Sequence, residues 1–203
     1  EHHAVLRTFE AMRHKGYDVT ILPVDETGRV RIEDVKQAIR PDTVLISVMY
    51  ANNETGMIQP VKEIGALAQR AGVVFHVDAV QAYGYIPIHP LEDHIDMLTV
   101  CPKGVGALYI RHGLDVAADA YGGPQEHRLR AGTENVAGIV GFGMASALLD
   151  KERDARYAQA AALKQRLYEN LVCQNASLHL NGTIAHALPN ILNISMAGTD
   201  SAI

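Results

Sequence analysis

The sequence has few cysteines, no excess of basic residues and no long apolar run. Its two cysteines, Cys101 and Cys173, are far apart and form no Cys-x-x-Cys pair, which argues against a disulfide framework or a zinc site. Lys and Arg number 18 against 23 Asp and Glu, so the net charge is −5, and without a basic block we expect no nucleic-acid partner. No apolar stretch approaches the roughly 18 residues of a membrane span, and no charged-then-apolar leader opens the chain. We therefore expect no membrane partner and a cytoplasmic location.

Hydrophobic residues, in contrast, make up 48% of the 203 residues, which is enough for a sizeable core. Helix-spaced apolar residues alternate with short β-rich runs, a pattern that predicts an α/β protein with a parallel sheet and right-handed crossovers. The predicted strands are 17–24, 43–50, 73–79, 95–100 and 104–110, and the predicted helices lie before Gly16, at 35–39 and at 60–72.

The later part of the chain predicts a different arrangement. A turn-rich segment at 121–135 precedes a long helix that begins near Val136 and could be kinked near Gly141 and Gly143. Two predicted strands, 177–182 and 190–196, then indicate the start of a second domain. We therefore predict one domain over 1–149 and the start of a second over 150–203, and we expect the chain to be incomplete.

Polar residues follow the predicted strands at their carboxyl ends. The stretch "VVFHVDAVQAYG" leads from apolar residues into Asp78 and Gln81, and Asn52 and Asn53 follow the preceding strand. Alone, Asp78 would be interpreted as a turn cap and Gln81 as a surface residue. Because ligands of open α/β sheets bind beyond the carboxyl ends of the strands, their combination predicts a ligand site.

Several motifs occur here in the order known from one family. "EHHAVL", "ANNETG", "HVDAVQAYG", "GGPQEHRLRAGTENVAGIVGFG" and "PNILNIS" follow one another over nearly the whole chain, which resembles cysteine desulfurases of the class V aminotransferase superfamily. The resemblance implies the large domain of the pyridoxal-phosphate-dependent transferase fold type I, a mostly parallel sheet with helices on both faces. It also implies the start of a small α+β domain.

The resemblance implies that the chain binds pyridoxal 5'-phosphate and assigns roles to its residues. Asp78 would keep the ring nitrogen protonated, so that the ring can act as an electron sink. Gln81 would bind the phenolic oxygen, His2 would stack on the ring as a catalytic and cofactor-binding residue, and Asn53 would face the substrate. His76, in contrast, is interpreted as a packed histidine, since it has no further metal ligand nearby.

Thr133 has two interpretations. Its hydroxyl could cap the following helix, or it could help to hold a phosphate. By resemblance it reaches the phosphate bound by the neighbouring subunit, which implies a homodimer. The implied reaction converts L-cysteine to L-alanine and leaves the sulfur as a persulfide on an enzyme cysteine, for delivery to an iron–sulfur scaffold or another acceptor protein.

The sequence also departs from the family. The Ser-x-His-Lys stretch whose lysine holds the cofactor is absent before "PKGVG", and Lys103 corresponds to a turn lysine. Either a segment is left out or the lysine is lost, and neither Cys101 nor Cys173 matches the persulfide cysteine. We predict that this chain is inactive alone. The alternatives are a selenocysteine lyase, a class V aminotransferase, or a non-catalytic dimeric scaffold that has lost the cofactor.

Overall fold

The computed structural model describes residues 1–101, 104–175 and 177–198. The helices are α1 (His3–His14), α2 (Ile32–Ala38), α3 (Val61–Ala71) and α4 (Val136–Gln174), with a short 3₁₀ helix at Glu126–Arg128. The strands are β1 (Leu45–Met49), β2 (Val74–Asp78), β3 (Met97–Val100), β4 (Ala107–Ile110), β5 (Leu178–Leu180) and β6 (Ile194–Met196). Within the described ranges, no helix is both long and apolar enough to cross a membrane.

The main sheet has the strand order β1-β2-β3-β4 and is mostly parallel. Strands β1, β2 and β3 run parallel to one another, which confirms the prediction for this part of the sheet. Strand β4 runs antiparallel to β3, which agrees with the expectation of a mostly parallel sheet. Only residues 101–106 join these two strands, and a parallel crossover needs a dozen residues or more.

The hydrophobic core lies on one face of this sheet. Phe75 and Val77 of β2 are completely buried, and they pack in one cluster with Ile64 and Ala68 of α3. Side chains alternate between the two faces of a strand, so His76 and Asp78 point to the opposite face. Helix α3 ends at Gly72, whose left-handed φ of 68° lets the chain turn directly into β2.

The predicted strand over 17–24 does not form. The structure gives this segment one isolated bridge, between Val24 and Val30, and no ladder. Tyr17, Ile21 and Val24 are 59%, 61% and 57% exposed. A strand needs a neighbour for its backbone groups, and β1 is the edge strand of the sheet as described. The β-rich composition of the segment is therefore not enough to make it a strand.

The long helix predicted after the turn-rich segment is confirmed as α4, with 39 residues. It is assigned as one uninterrupted helix and passes through residue 150. Residues of the predicted second domain contact the first: Ile58 N donates to His186 O at 2.9 Å and Leu188 N donates to Gly56 O at 2.8 Å. The domain boundary near residue 150 stays a prediction.

Helix α3 packs tightly against the backbone of Asp93 at Gly65, which predicts the effect of Gly65→Ala. A Cβ at this buried glycine of α3 would collide with the backbone carbonyl oxygen of Asp93, which cannot move aside as a side chain could. We expect a loss of about 2 kcal/mol in the free energy of unfolding, measured by urea denaturation. The matched control is Gly143→Ala in α4, where nothing lies within 4 Å, and a gain of about 0.5 kcal/mol is expected. Equal stability of the two variants would contradict this packing.

Candidate active site

Asp78 lies at the carboxyl end of β2, between two neighbouring strands. Its register partners are Met49 of β1 and Thr99 of β3. Oδ1 accepts a hydrogen bond from the backbone N–H of Val80 at 3.0 Å, which fixes the turn after the strand. Among the described residues no hydrogen bond engages Oδ2. The half-buried carboxylate is thus held by one oxygen and can offer the other to a ligand.

Glu1 joins the start of α1 to the same edge of the sheet, and sequence reasoning missed it. Its Oε1 accepts a hydrogen bond from the backbone N–H of Met49, the register partner of Asp78, at 2.6 Å. Burial raises the pKa of Glu1; the Met49 hydrogen bond opposes this rise, and Asp78 adds to it. Nothing in the sequence pattern distinguishes Glu1 from a carboxylate without a protein partner, because its acceptor role depends on a contact with a distant strand.

His2 follows Glu1 and is therefore brought near this edge by it. The residue is exposed and forms the N-cap of α1, where its Nδ1 accepts a hydrogen bond from the N–H of Ala4 at 3.2 Å. Its ring centroid lies 6.2 Å from that of His3. The hydrogen bond orients the imidazole through one nitrogen, and the role predicted for His2 on a ring face stays a prediction.

Asn53 lies in the loop that leaves β1, and its neighbour Asn52 holds this loop in shape. The Oδ1 of Asn52 accepts hydrogen bonds from the N–H groups of Glu54 and Thr55, at 2.9 and 2.8 Å. Asn53 itself is half-buried, and its side-chain amide bonds to no described residue. One asparagine is thus committed to the loop, and the other is available to a ligand.

Gln81 and Thr133 occupy different places. Gln81 is half-buried in the turn after β2, three residues beyond Asp78 in sequence, whereas Thr133 is exposed ahead of α4. In the described part of the chain no hydrogen bond joins Thr133 to Asp78, Gln81, Asn53 or His2. The suggestion that Thr133 caps the helix is wrong: the N-cap is Asn135, whose Oδ1 accepts a hydrogen bond from Gly138 N at 3.0 Å. The Thr133 hydroxyl is therefore not committed to capping.

His76 is a packed histidine, as expected. Its two ring nitrogens lie 2.8 Å from the hydroxyl of Ser47 on β1 and 2.8 Å from that of Thr99 on β3. Burial lowers the pKa of His76, and the Asp78 carboxylate opposes this shift only in part. The neutral imidazole therefore joins three strands beside Asp78.

The structure describes only some of the lysines that could be considered for holding the cofactor. Pro102 and Lys103 lie outside the described residues, so the prediction that Lys103 is a turn residue is not tested. Lys164 is the one lysine among the described residues that is buried, and its Nζ donates to the carbonyl of Leu188 at 2.8 Å. Burial lowers the pKa of Lys164, but its hydrogen bond commits it to the packing of α4.

Comparison with known proteins assigns this arrangement to a family. Residues 1–202 match the family model described as "Aminotransferase class-V". The chain belongs to the class-V aminotransferase family. The polar edge formed by Asp78, Gln81 and Asn53 is therefore the carboxyl edge of a class-V aminotransferase sheet.

Two curated relatives and one solved structure illustrate the similarity. The chain is 43% identical over 204 residues to "Putative cysteine desulfurase IscS 1" of Bacillus subtilis (strain 168), covering 98% of this chain and 54% of the relative. It is 46% identical over 201 residues to "Cysteine desulfurase IscS" of Methanosarcina thermophila, covering 96% and 50%. A solved "NIFS-LIKE PROTEIN" superposes with a TM-score of 0.92 at 36% identity, covering 97% of this chain and 55% of that one. The chain spans about half the length of the curated relatives it matches.

The hydrogen bonds of His76 predict a pH dependence of stability. In the folded protein the pKa of His76 is lowered from its usual 6.5. As the pH falls below 6.5, the histidine becomes protonated in the unfolded chain but stays neutral in the folded chain, which favours unfolding. The stability that neutral His76 provides is present above pH 6.5 and is lost below it. In urea unfolding between about pH 7.5 and 5.5, the stability difference between wild type and His76→Gln should narrow by about 1 kcal/mol.

The control for this experiment is Gln37→Ala, which changes an exposed residue of α2 that carries no titratable group. Its stability difference from wild type should stay constant over the same pH range. If the His76→Gln difference also stays constant, His76 does not resist protonation in the folded protein.

Proposed function

We propose that the protein containing this chain is a cytoplasmic, homodimeric cysteine desulfurase that uses pyridoxal 5'-phosphate. Its substrate would be L-cysteine, converted to L-alanine while the sulfur passes to an enzyme cysteine as a persulfide. The names of the curated relatives support this activity. The single observation that carries the proposal is Asp78, a half-buried carboxylate at the carboxyl edge with one oxygen free of described partners.

Asp78 fits the ring of the proposed cofactor. When bound, pyridoxal phosphate supplies an electron sink for the substrate's α-carbon, provided that its ring nitrogen stays protonated. A carboxylate favours the charged form of a nearby cation, and the available Oδ2 of Asp78 can accept the N–H of such a cation. The Val80 hydrogen bond keeps this carboxylate in place, so its orientation does not have to be established when the ligand binds.

The neighbouring side chains have the donors and rings that the proposal requires. The carboxamide of Gln81 has no described partner and can donate to a phenolic oxygen, and Asn53 can likewise bind a substituent or the substrate. His2 supplies an exposed imidazole at the start of α1, tied to the sheet through the Glu1–Met49 hydrogen bond. We propose that it stacks on the ring and acts as a catalytic residue.

The proposed dimer rests on Thr133 and on the surface that follows it. Thr133 is exposed, without a capping role, and we propose that its hydroxyl binds the phosphate held by the partner subunit. The first turns of α4 expose Val136, Val140 and Met144 by 66%, 61% and 62%. Apolar side chains exposed together in this way are typical of an interface.

Further parts of the proposal concern the rest of the protein. We propose that 1–149 is part of the cofactor-binding domain and that 150–203 begins the small domain. The lysine that holds the cofactor and the persulfide cysteine have no counterpart in this sequence, so the chain by itself should be inactive. The sulfur acceptor would be an iron–sulfur scaffold or another acceptor protein.

The variant Asp78→Asn tests the role of the carboxylate. Asparagine preserves the shape but cannot stabilise a cationic ring, so sulfide release from L-cysteine by the full-length protein should fall by about a hundredfold or more. Folding should be largely unaffected, as checked by thermal denaturation. The control is Asp115→Asn, at an exposed position, which should retain full activity. Wild-type turnover by Asp78→Asn would contradict the assignment of Asp78.

Mixing the purified full-length protein with pyridoxal phosphate distinguishes the enzyme from a scaffold. A lysine adduct that borohydride traps supports the enzyme, whereas failure to bind supports a non-catalytic dimer, for which the missing Ser-x-His-Lys stretch is the observation in favour. Release of sulfide from cysteine, but no release of selenide from selenocysteine, would separate a desulfurase from a selenocysteine lyase. Transfer of the amino group to a keto acid would identify an aminotransferase.

A further inference from the structure

A second cavity, of about 550 Å³, lies where α3 begins and α4 passes over it. Its walls include Arg29, the first turn of α3, the Tyr85–Ile86–Pro87 turn, and Arg153 with Tyr157 of α4. None of the five residues predicted to bind the cofactor lines it. Whatever this cavity binds is therefore held by side chains other than those of the candidate active site.

Arg29 lines this cavity, and its terminal guanidinium nitrogens donate to no described residue. Its Nε is shielded from solvent and has no hydrogen-bond partner, and no ion pair reaches its side chain from the described residues. A buried donor left without an acceptor costs about 1–3 kcal/mol. Because this Nε is shielded, a ligand in the cavity would be bound through the terminal nitrogens of the guanidinium.

The backbone on both sides of Arg29 is held rigidly. Gln59, which is 6% exposed, accepts a hydrogen bond from Val30 N at 2.9 Å and donates one to Gly28 O at 2.9 Å. The carboxylate of Asp25 accepts a hydrogen bond from Arg29 N at 3.1 Å. The main chain that carries the guanidinium is thus fixed before any ligand arrives, which lowers the entropic cost of binding.

Arg153 repeats the same feature from α4. Its Nη2 donates to Asp150 at 2.5 Å, but its Nε is shielded and unpartnered within the described part of the chain. Lys62, in the first turn of α3, also lines the cavity. The N-cap of this helix is Pro60, which provides no capping side chain. The lining includes these three cations and two carboxylates, Glu63 and Asp154.

The remaining walls are largely apolar or aromatic, formed by Tyr50, Ile58, Pro60, Val61, Tyr85, Ile86, Pro87 and Tyr157. From these features we infer that the cavity binds a small organic anion, a carboxylate or a phosphate ester with an apolar body. A guanidinium is planar and presents paired N–H donors that match the oxygens of either head group. The rings and aliphatic side chains would cover the body of the ligand.

Isothermal titration of the purified protein, saturated with pyridoxal phosphate, tests this inference with phenyl phosphate, benzoate and inorganic phosphate as probes. We expect phenyl phosphate or benzoate to bind with a Kd below about 1 mM, and the tighter of the two identifies the head group. Arg29→Gln and Arg153→Gln should each weaken binding of the probes by roughly tenfold or more. Arg29→Lys should weaken it less than Arg29→Gln does, because lysine keeps the charge but not the paired donors. Thermal denaturation checks that the variants remain folded.

The matched control is Arg156→Gln, which changes an arginine of the same helix that lies outside the cavity and makes a surface ion pair with Glu152 at 3.7 Å. It should bind the probes as wild type does. Failure of both organic probes to bind, or unchanged affinity in Arg29→Gln, would overturn the inference, and equal affinity for inorganic phosphate would overturn the organic nature of the ligand. Because Arg29 and Arg153 are not among the residues proposed to bind the cofactor, probe binding and sulfide release are measured separately, and the two proposals can fail separately.

Discussion

The parallel register of β1, β2 and β3 is the constraint on which the candidate site depends. Because the strands run in the same direction, the loops after β1 and β2 leave the sheet at one edge, and Met49 and Asp78 lie side by side there. The Glu1 hydrogen bond to Met49 then brings the start of α1 to this edge. A one-residue shift of β2 would turn Asp78 toward the core and replace it with an apolar neighbour.

One face of β2 packs in the hydrophobic core, and the other face carries polar side chains. Phe75 and Val77 are completely buried against the α3 side, so packing holds the strand in position. On the other face, His76 makes its two hydrogen bonds to neighbouring strands, which satisfies a buried polar ring without using the Asp78 carboxylate. Asp78 can therefore keep one oxygen for a ligand, because it is not required to stabilise the sheet.

The sequence predicted where these polar residues lie relative to the strands, because those signals are local, and their binding of a ligand stays a prediction. Asp78, Gln81 and Asn53 each follow a β-rich run, and chain direction alone places them together. The failures concern contacts between distant residues. The segment 17–24 has the composition of a strand but no adjacent strand, and the Glu1–Met49 bond joins residues that no periodicity relates. Thr133 and Asn135 are both good capping residues, and only the backbone geometry shows that Asn135 is the cap. Arg29 could not be singled out, since an unpaired arginine looks the same in sequence as a solvated one.

The charge of the edge around Asp78 favours a proposed ligand whose ring nitrogen lies near this edge and whose phosphate lies away from it. The edge around Asp78 carries two carboxylates, and their mutual influence is one of the causes that raise the pKa of Glu1. Such an edge attracts a cationic ring nitrogen but repels a phosphate. A phosphate must therefore lie away from Asp78, near N–H donors or cations, and the segment before α4 offers Arg130 and the uncommitted hydroxyl of Thr133.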